Sequence, residues 1–133
     1  MGMFSYKINS QLTIDEVVAV LAGSGIRRPV TDRERIGKMF DAADLVVSAW
    51  YGNRLVGVAR SLTDWCYCCY LSDLAVHKEF QNNGIGKELV ARTRRQIGEQ
   101  CMLLLLSAPS AMGYYPRLNM ENLSNAFIFH RIS

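Results

Sequence analysis

The chain contains no apolar run near the roughly 20 residues that a membrane-crossing helix needs. Its apolar runs, Cys101 to Leu106 among them, are only strand-sized. A secretory leader is not expected either. The apolar stretch Val17 to Leu21 follows Asp15 and Glu16, where a basic region would stand. Met1-Gly2 resembles the start of a myristoylation signal, but Tyr6 occupies the position that requires Ser or Thr. Excess charge is small. A net +3 suits a small anionic ligand and falls short of a nucleic-acid footprint. The four cysteines, Cys66, Cys68, Cys69 and Cys101, have no second Cys/His pair at zinc-site spacing. Buried, reduced thiols and no metal are the expectation. These absences describe a soluble cytoplasmic protein that engages neither membrane nor nucleic acid.

What is present describes a folded domain. Half of the 133 residues are hydrophobic, which excludes a disordered chain. The length fits a single domain, 1–133, around one core. No repeat, linker or low-complexity segment interrupts it.

Local signals order the elements. Met3 to Ile8 reads as a strand. Thr13-Ile-Asp-Glu16 is a capping box, with Ile14, Val17, Val18 and Leu21 at helical spacing behind it. Gly23-Ser24-Gly25 ends that helix. Thr31-Asp-Arg-Glu34 is a second capping box, followed by Ile36, Met39, Phe40 and Ala43. Leu45 to Tyr51 and Leu55 to Leu62 form a hairpin about Gly52-Asn53. Cys66 to Val76 is a third strand after the Asp64-Trp65 turn. A helix runs from Gly84 to about Gly98, with Ile85, Leu89, Thr93 and Ile97 on its inner stripe. Cys101 to Ser107 is fully apolar, so a strand buried on both faces is predicted. A short helix over Ser110 to Tyr115, broken at Pro116, and a last strand over Asn125 to His130 complete the chain. The predicted class is α/β (α+β): a mixed, mostly antiparallel sheet with one β-α-β crossover, Leu71 through Ser107.

The stretch 81-QNNGIGKELV-90 opens the crossover helix with two glycines. Glycine in a helix costs roughly 1 kcal/mol relative to alanine. Two at the first turn suit close approach of a ligand to the backbone. The first N–H groups of a helix lack internal partners and sit at the positive end of the dipole, which makes a seat for phosphate. The plainer alternative is a tight turn capped by Asn83 that feeds a surface helix. No third glycine completes a dinucleotide fingerprint, and Gly-Lys-Ser/Thr is missing. The loop does follow the carboxyl end of a strand, where α/β sheets bind ligands.

The element order, with LSDLAVHKEFQNNGIGKELV (71–90), resembles the GNAT superfamily of N-acetyltransferases. Gln81-Asn-Asn-Gly84-Ile-Gly86 matches the family's Gln/Arg-x-x-Gly-x-Gly/Ala loop without a break. A second family stretch often reads Phe-Tyr-Glu-Lys-Leu-Gly-Phe. Here it is Tyr114-Tyr115-Pro-Arg-Leu118-Asn119-Met120, which departs at Asn119 and Met120. The resemblance implies a single GNAT-like domain with acetyl-CoA as cosubstrate. Amides of Gln81, Asn82, Asn83, Gly84, Ile85, Gly86 and Lys87 would hold its pyrophosphate. The preceding strand, Leu74-Ala75-Val76, would splay from its neighbour and pair with the pantetheine arm through Leu74 and Val76. An amine of a small molecule or peptide would attack the thioester directly.

Within that reading Tyr115 is the candidate general acid for the departing thiolate, or else a packing residue. Tyr114 is expected to pack. Asp73, beside the thioester position, is the candidate general base, or else a structural carboxylate. Lys78, Lys87 and Arg92 are candidates for CoA phosphates, Lys87 best placed. Arg27-Arg28 would favour an anionic acceptor; Asp41, Asp44 and Asp64 would attract a cationic one. The rival reading is a CoA-binding sensor or assembly module without catalysis. An unpaired terminal strand edge would favour a homodimer.

Overall fold

The computed structural model describes residues 3–133; the Met1-Gly2 dipeptide lies outside the described residues. Five strands form one sheet in the order β1-β2-β3-β4-β5. They are β1 (Phe4–Ile8), β2 (Leu45–Tyr51), β3 (Arg54–Thr63), β4 (Cys68–Val76) and β5 (Met102–Leu104). Neighbours pair antiparallel up to β4, and β4 pairs parallel to β5 across the crossover.

Helices α1 (Ile14–Ser24) and α2 (Arg33–Asp41) cover one face, and α3 (Ile85–Ile97) covers the other. The Thr13 hydroxyl accepts from the Glu16 amide and the Glu16 carboxylate accepts from the Thr13 amide, so the first capping box forms. The second is displaced by one residue. Asp32, not Thr31, caps α2 by accepting from the Arg35 amide at 3.0 Å. Both caps satisfy amides that a helix leaves without internal partners. Beneath α3, Ile85, Leu89, Val90, Thr93 and Ile97 are buried. Each large aliphatic among them stabilises the fold by about 1.5–3 kcal/mol. Gly57 on β3 lets α3 lie close, because a Cβ there would stand 3.2 Å from Leu89.

Several expectations need correction. β4 begins at Cys68 rather than Cys66. The Asp64 carboxylate accepts from the amides of Cys66, Tyr67 and Cys68 and draws them into the turn. Those backbone donors, Cys66 and Cys68 foremost, hold the Asp64 carboxyl well below the usual range. Cys69 and Cys101 are buried, but Cys66 and Cys68 are exposed; all four thiols are free.

β5 is shorter than predicted and is not buried on both faces. Leu103 and Leu105 turn inward, while Met102, Leu104 and Leu106 are exposed. Asn125 to His130 forms no strand, so nothing covers the outer edge of β5 among the described residues. Phe127, Phe129 and Ile132 are fully exposed. The predicted short helix over Ser110 to Tyr115 is replaced by two 3-10 turns, Pro109–Ala111 and Tyr115–Leu118.

Candidate functional site

β4 and β5 share only three register pairs, Cys68–Met102, Cys69–Leu103 and Tyr70–Leu104. β4 then continues alone to Val76 on that side. A gap therefore opens along Leu71 to Val76, and α3 begins at its mouth.

A β-bulge shapes this part of β4. Arg60 pairs with Asp73, yet the next residue, Ser61, pairs with Leu71, which leaves Ser72 without a partner on β3. Bulges reset side-chain alternation and recur beside active sites. Leu71 and Leu74, three residues apart, consequently both pack in the α3-side core. Ala75 packs in the α1/α2-side core. Of the expected pantetheine strand, Leu74 and Val76 are half-buried on the α3 face and Ala75 is turned to the α1/α2 face.

After Val76 the chain makes a 3-10 turn, Lys78–Phe80, and enters the glycine loop. The Gln81 side-chain amide donates to the Val76 carbonyl at 2.9 Å and folds the loop back onto β4. Asn82 (φ 69°) and Gly84 (φ 76°) take left-handed backbone conformations. Glycine adopts that region freely and asparagine tolerates it. The helix cap is Gly84, not Asn83, whose side chain donates instead to the carbonyls of Phe80 and Gln81. No side chain caps α3. The amides of Ile85, Gly86 and Lys87 thus stand free at the positive end of the helix dipole, and Lys87 beside them is exposed.

The far wall comes from the aromatic pair. A Cβ on Gly86 would stand 2.7 Å from the Tyr114 hydroxyl, so that phenol lies directly over the cradle. Tyr114 and Tyr115 meet edge-on with ring centres 5.2 Å apart. Burial pushes both phenols above the ordinary tyrosine value, and Tyr114 adds to the shift at Tyr115. Asn119, the first departure from the family stretch, has φ 65° and ψ 28°. Asparagine supplies there the left-handed geometry that glycine would otherwise supply.

Asp73 is fully buried. Arg28 Nε donates to one carboxylate oxygen and Arg60 Nε to the other. This network is not legible in the order of residues along the chain. Its signal was Arg60, a lone charge inside the apolar strand Leu55 to Leu62. Other candidates are occupied elsewhere: Arg92 pairs with Glu88 and lies over Tyr6, and Asp44 accepts from the Thr63 amide. Burial raises the Cys69 thiol, which disfavours a thiolate nucleophile. A groove of about 430 Å³ between α1, α2 and the start of β2 takes none of its lining from β4, β5 or α3. No helix among the described residues is long and apolar enough to cross a membrane.

Free helix-start amides beside a split in a mixed sheet mark this as an α/β domain with a crevice at the carboxyl end of β4. The chain belongs to the acetyltransferase (GNAT) family, whose profile matches residues 15–120. It is 30% identical over 95 residues to an uncharacterised ycf52-like N-acetyltransferase of Prochlorococcus marinus, covering 67% of this chain and 51% of that protein. It is 27% identical over 116 residues to the chloroplastic GCN5-related N-acetyltransferase 1 of Arabidopsis thaliana, covering 86% of this chain and 59% of that one. The chain thus spans between half and two thirds of the length of these relatives. In fold it matches a GNAT-family acetyltransferase of Streptococcus pneumoniae, with TM-score 0.78, 20% identity and coverage of 98% and 100% of the two chains. It also matches an aminoglycoside N-acetyltransferase solved with CoA, with TM-score 0.74, 13% identity and coverage of 100% and 97%.

Proposed function

We propose that this chain transfers an acetyl group from acetyl-CoA to an amine of a small molecule or peptide. The observation that carries the reading is the uncapped start of α3 beside the gap between β4 and β5. Gly84 has open space about its Cα, Gly86 lets the Tyr114 hydroxyl lie close to the helix start, and the free amides of residues 85–87 suit a pyrophosphate. Bound acetyl-CoA would supply the acyl thioester. The amides of residues 82–87 and the Lys87 ammonium hold the phosphates. The gap side of β4, at Leu74 and Val76, offers backbone groups to the pantetheine arm; the Val76 carbonyl is already taken by Gln81. A backbone N–H in the gap polarises the thioester carbonyl. As the C–N bond forms and the C–S bond breaks, Tyr115, kept protonated by burial, donates its proton to the departing sulfur, and the proton shed by the amine passes to water, from which the phenol is reprotonated.

Calorimetry with CoA, followed by thiol release from acetyl-CoA across a panel of amines, tests the reading. Binding in about the micromolar-to-millimolar range and release with at least one amine are expected. Binding with no release from any amine would make the chain a CoA-binding module. No binding at all would remove the cradle.

The native state we infer is a homodimer in the cytoplasm. The outer edge of β5 is unpaired among the described residues, and the apolar side chains of Met102, Leu104, Phe127, Phe129 and Ile132 are each exposed. Uncovered edges and apolar patches of that kind favour self-association. Sedimentation at micromolar concentration should give twice the chain mass; a single-chain mass refutes the dimer.

A further inference from the structure

We propose that Asp73 is a positioning residue, which with Arg28 and Arg60 clamps the Ser72 bulge and ties the α1–α2 connection to β4 where β4 parts from β5. The consequence for acceptor binding rests on the acetyl-transfer reading; the clamp itself does not.

Each arginine grips two successive residues of β4. Arg28 donates from Nε to Asp73 and from its second terminal nitrogen to the Ser72 carbonyl at 2.7 Å. Arg60 donates from Nε to the other oxygen of Asp73 and from a terminal nitrogen to the Ser72 hydroxyl at 3.0 Å. The bulge leaves Ser72 without a β3 partner, and the two guanidiniums supply partners for its carbonyl and hydroxyl. Arg60 is anchored in turn by the Met39 carbonyl at 3.2 Å and by the Phe40 ring. Arg28 also donates to the carbonyl of Arg27 and so holds the connection's own backbone. One cluster therefore joins β3, β4, α2 and the α1–α2 connection.

Exposure argues the role. The Asp73 side chain is 0% exposed, Arg60 9% and Arg28 26%. A base that takes a proton from an incoming amine needs a lone pair open to it. Both Asp73 oxygens instead face guanidiniums within a desolvated layer. What the clamp controls is geometry. It holds the bulge that sends Leu74 to the α3 face and Asp73 to the α1/α2 face. It also pins Arg27 and Arg28 over the stretch of β4 that lacks a β5 partner. Further along that stretch α1 reaches the end of β4, where Gly23 packs against the His77 ring. The connection between residues 25 and 32 thus forms a wall beside the gap, and its placement sets how an acceptor is held.

The test uses the full chain with Arg28→Met and Asp73→Asn. Arg28→Met keeps the Asp73–Arg60 pair, so it remains informative if Asp73→Asn does not fold. Hydrogen exchange without ligands should show the amides of residues 25–32 exchanging about 10-fold faster or more in Arg28→Met, a loss of local protection. With an amine that is turned over, the acceptor KM should rise about 10-fold while kcat stays within about 3-fold, the signature of lost binding rather than lost chemistry. The pH profile of kcat and the affinity for CoA should not move. Asp73→Asn should act in the same direction. The proposal is overturned if Arg28→Met leaves both exchange and KM unchanged. It is equally overturned if Asp73→Asn retains wild-type exchange but loses about 100-fold in kcat together with the acidic limb of the profile, since those changes mark a general base. If no amine is turned over, the acetyl-transfer reading falls, and the exchange result alone decides the clamp.

Discussion

Tyr115→Phe is expected to lower kcat by about 10²- to 10⁴-fold, the range over which a positioned proton donor acts. The substitution removes one hydroxyl and keeps the ring, so the edge-on contact with Tyr114 survives. Affinity for CoA and the melting temperature should therefore change little. The pH dependence adds a second signature. Burial, reinforced by Tyr114, raises the Tyr115 phenol above its ordinary value near 10. The phenol thus stays protonated, and able to donate, through neutral pH and beyond pH 10. Activity of the wild type should fall on the alkaline side only above about pH 10, and Tyr115→Phe should lack that limb. Tyr114→Phe is the comparison. Its hydroxyl lies over Gly86, at the cradle rather than at the sulfur in this reading, so its loss should raise the acetyl-CoA KM a few-fold with kcat nearly kept. A Tyr115→Phe enzyme with wild-type kcat would assign this phenol to packing alone.

Gly86→Val is expected to weaken CoA binding by about 10- to 100-fold or more. The position lies in the first turn of α3, and its Cα faces the Tyr114 hydroxyl. A Cβ would stand 2.7 Å from that oxygen, and the two methyls beyond it would fill the approach to the free amides. Hydrogen bonds to a charged group are worth about 1.5–3 kcal/mol each. Pushing the anion away from one or two of them gives at least the stated loss, at about 1.4 kcal/mol per tenfold. Stability should move by about 1 kcal/mol or less, because a side chain in a helix costs no more than glycine and Tyr114 can swing outward. Calorimetry with CoA beside a thermal melt separates the effects. A variant that melts like the wild type and binds CoA equally well would show that the anion lies elsewhere.

The landmarks that led to this site are local ones. The capping box at Thr13 and the glycine turns about Gly25 and Gly52 act within a few residues, so their chemistry is visible in the chain order. The same holds for the uncapped glycine start of α3, because left-handed backbone at Gly84 is a property of one residue. The inner stripe of α3 follows from helical period alone. Even the Asn119 departure is local, since asparagine tolerates the backbone that glycine would adopt.

The features that differed all depend on a second segment. A bulge exists only as a mismatch between two strands, so no run of β4 residues could reveal the one at Ser72. Asp73 could be read as a candidate base or as a structural carboxylate, because its partners, Arg28 and Arg60, are 45 and 13 residues away in the chain. The apolar stretch from Cys101 looked like a central strand, but burial of a second face requires a neighbour, and β5 has none on its outer side among the described residues. Asn125 to His130 has strand composition yet pairs with no strand, since composition alone does not fix pairing. Sequence by itself determined the element order from β1 to β5, the uncapped glycine start of α3 and the family resemblance, since short-range sterics and backbone preferences act within a turn or two. Only the tertiary structure decided where β4 splits from β5, which carboxylate is spent on arginines, and which edge stands open, because register and burial are properties of segments brought together by folding.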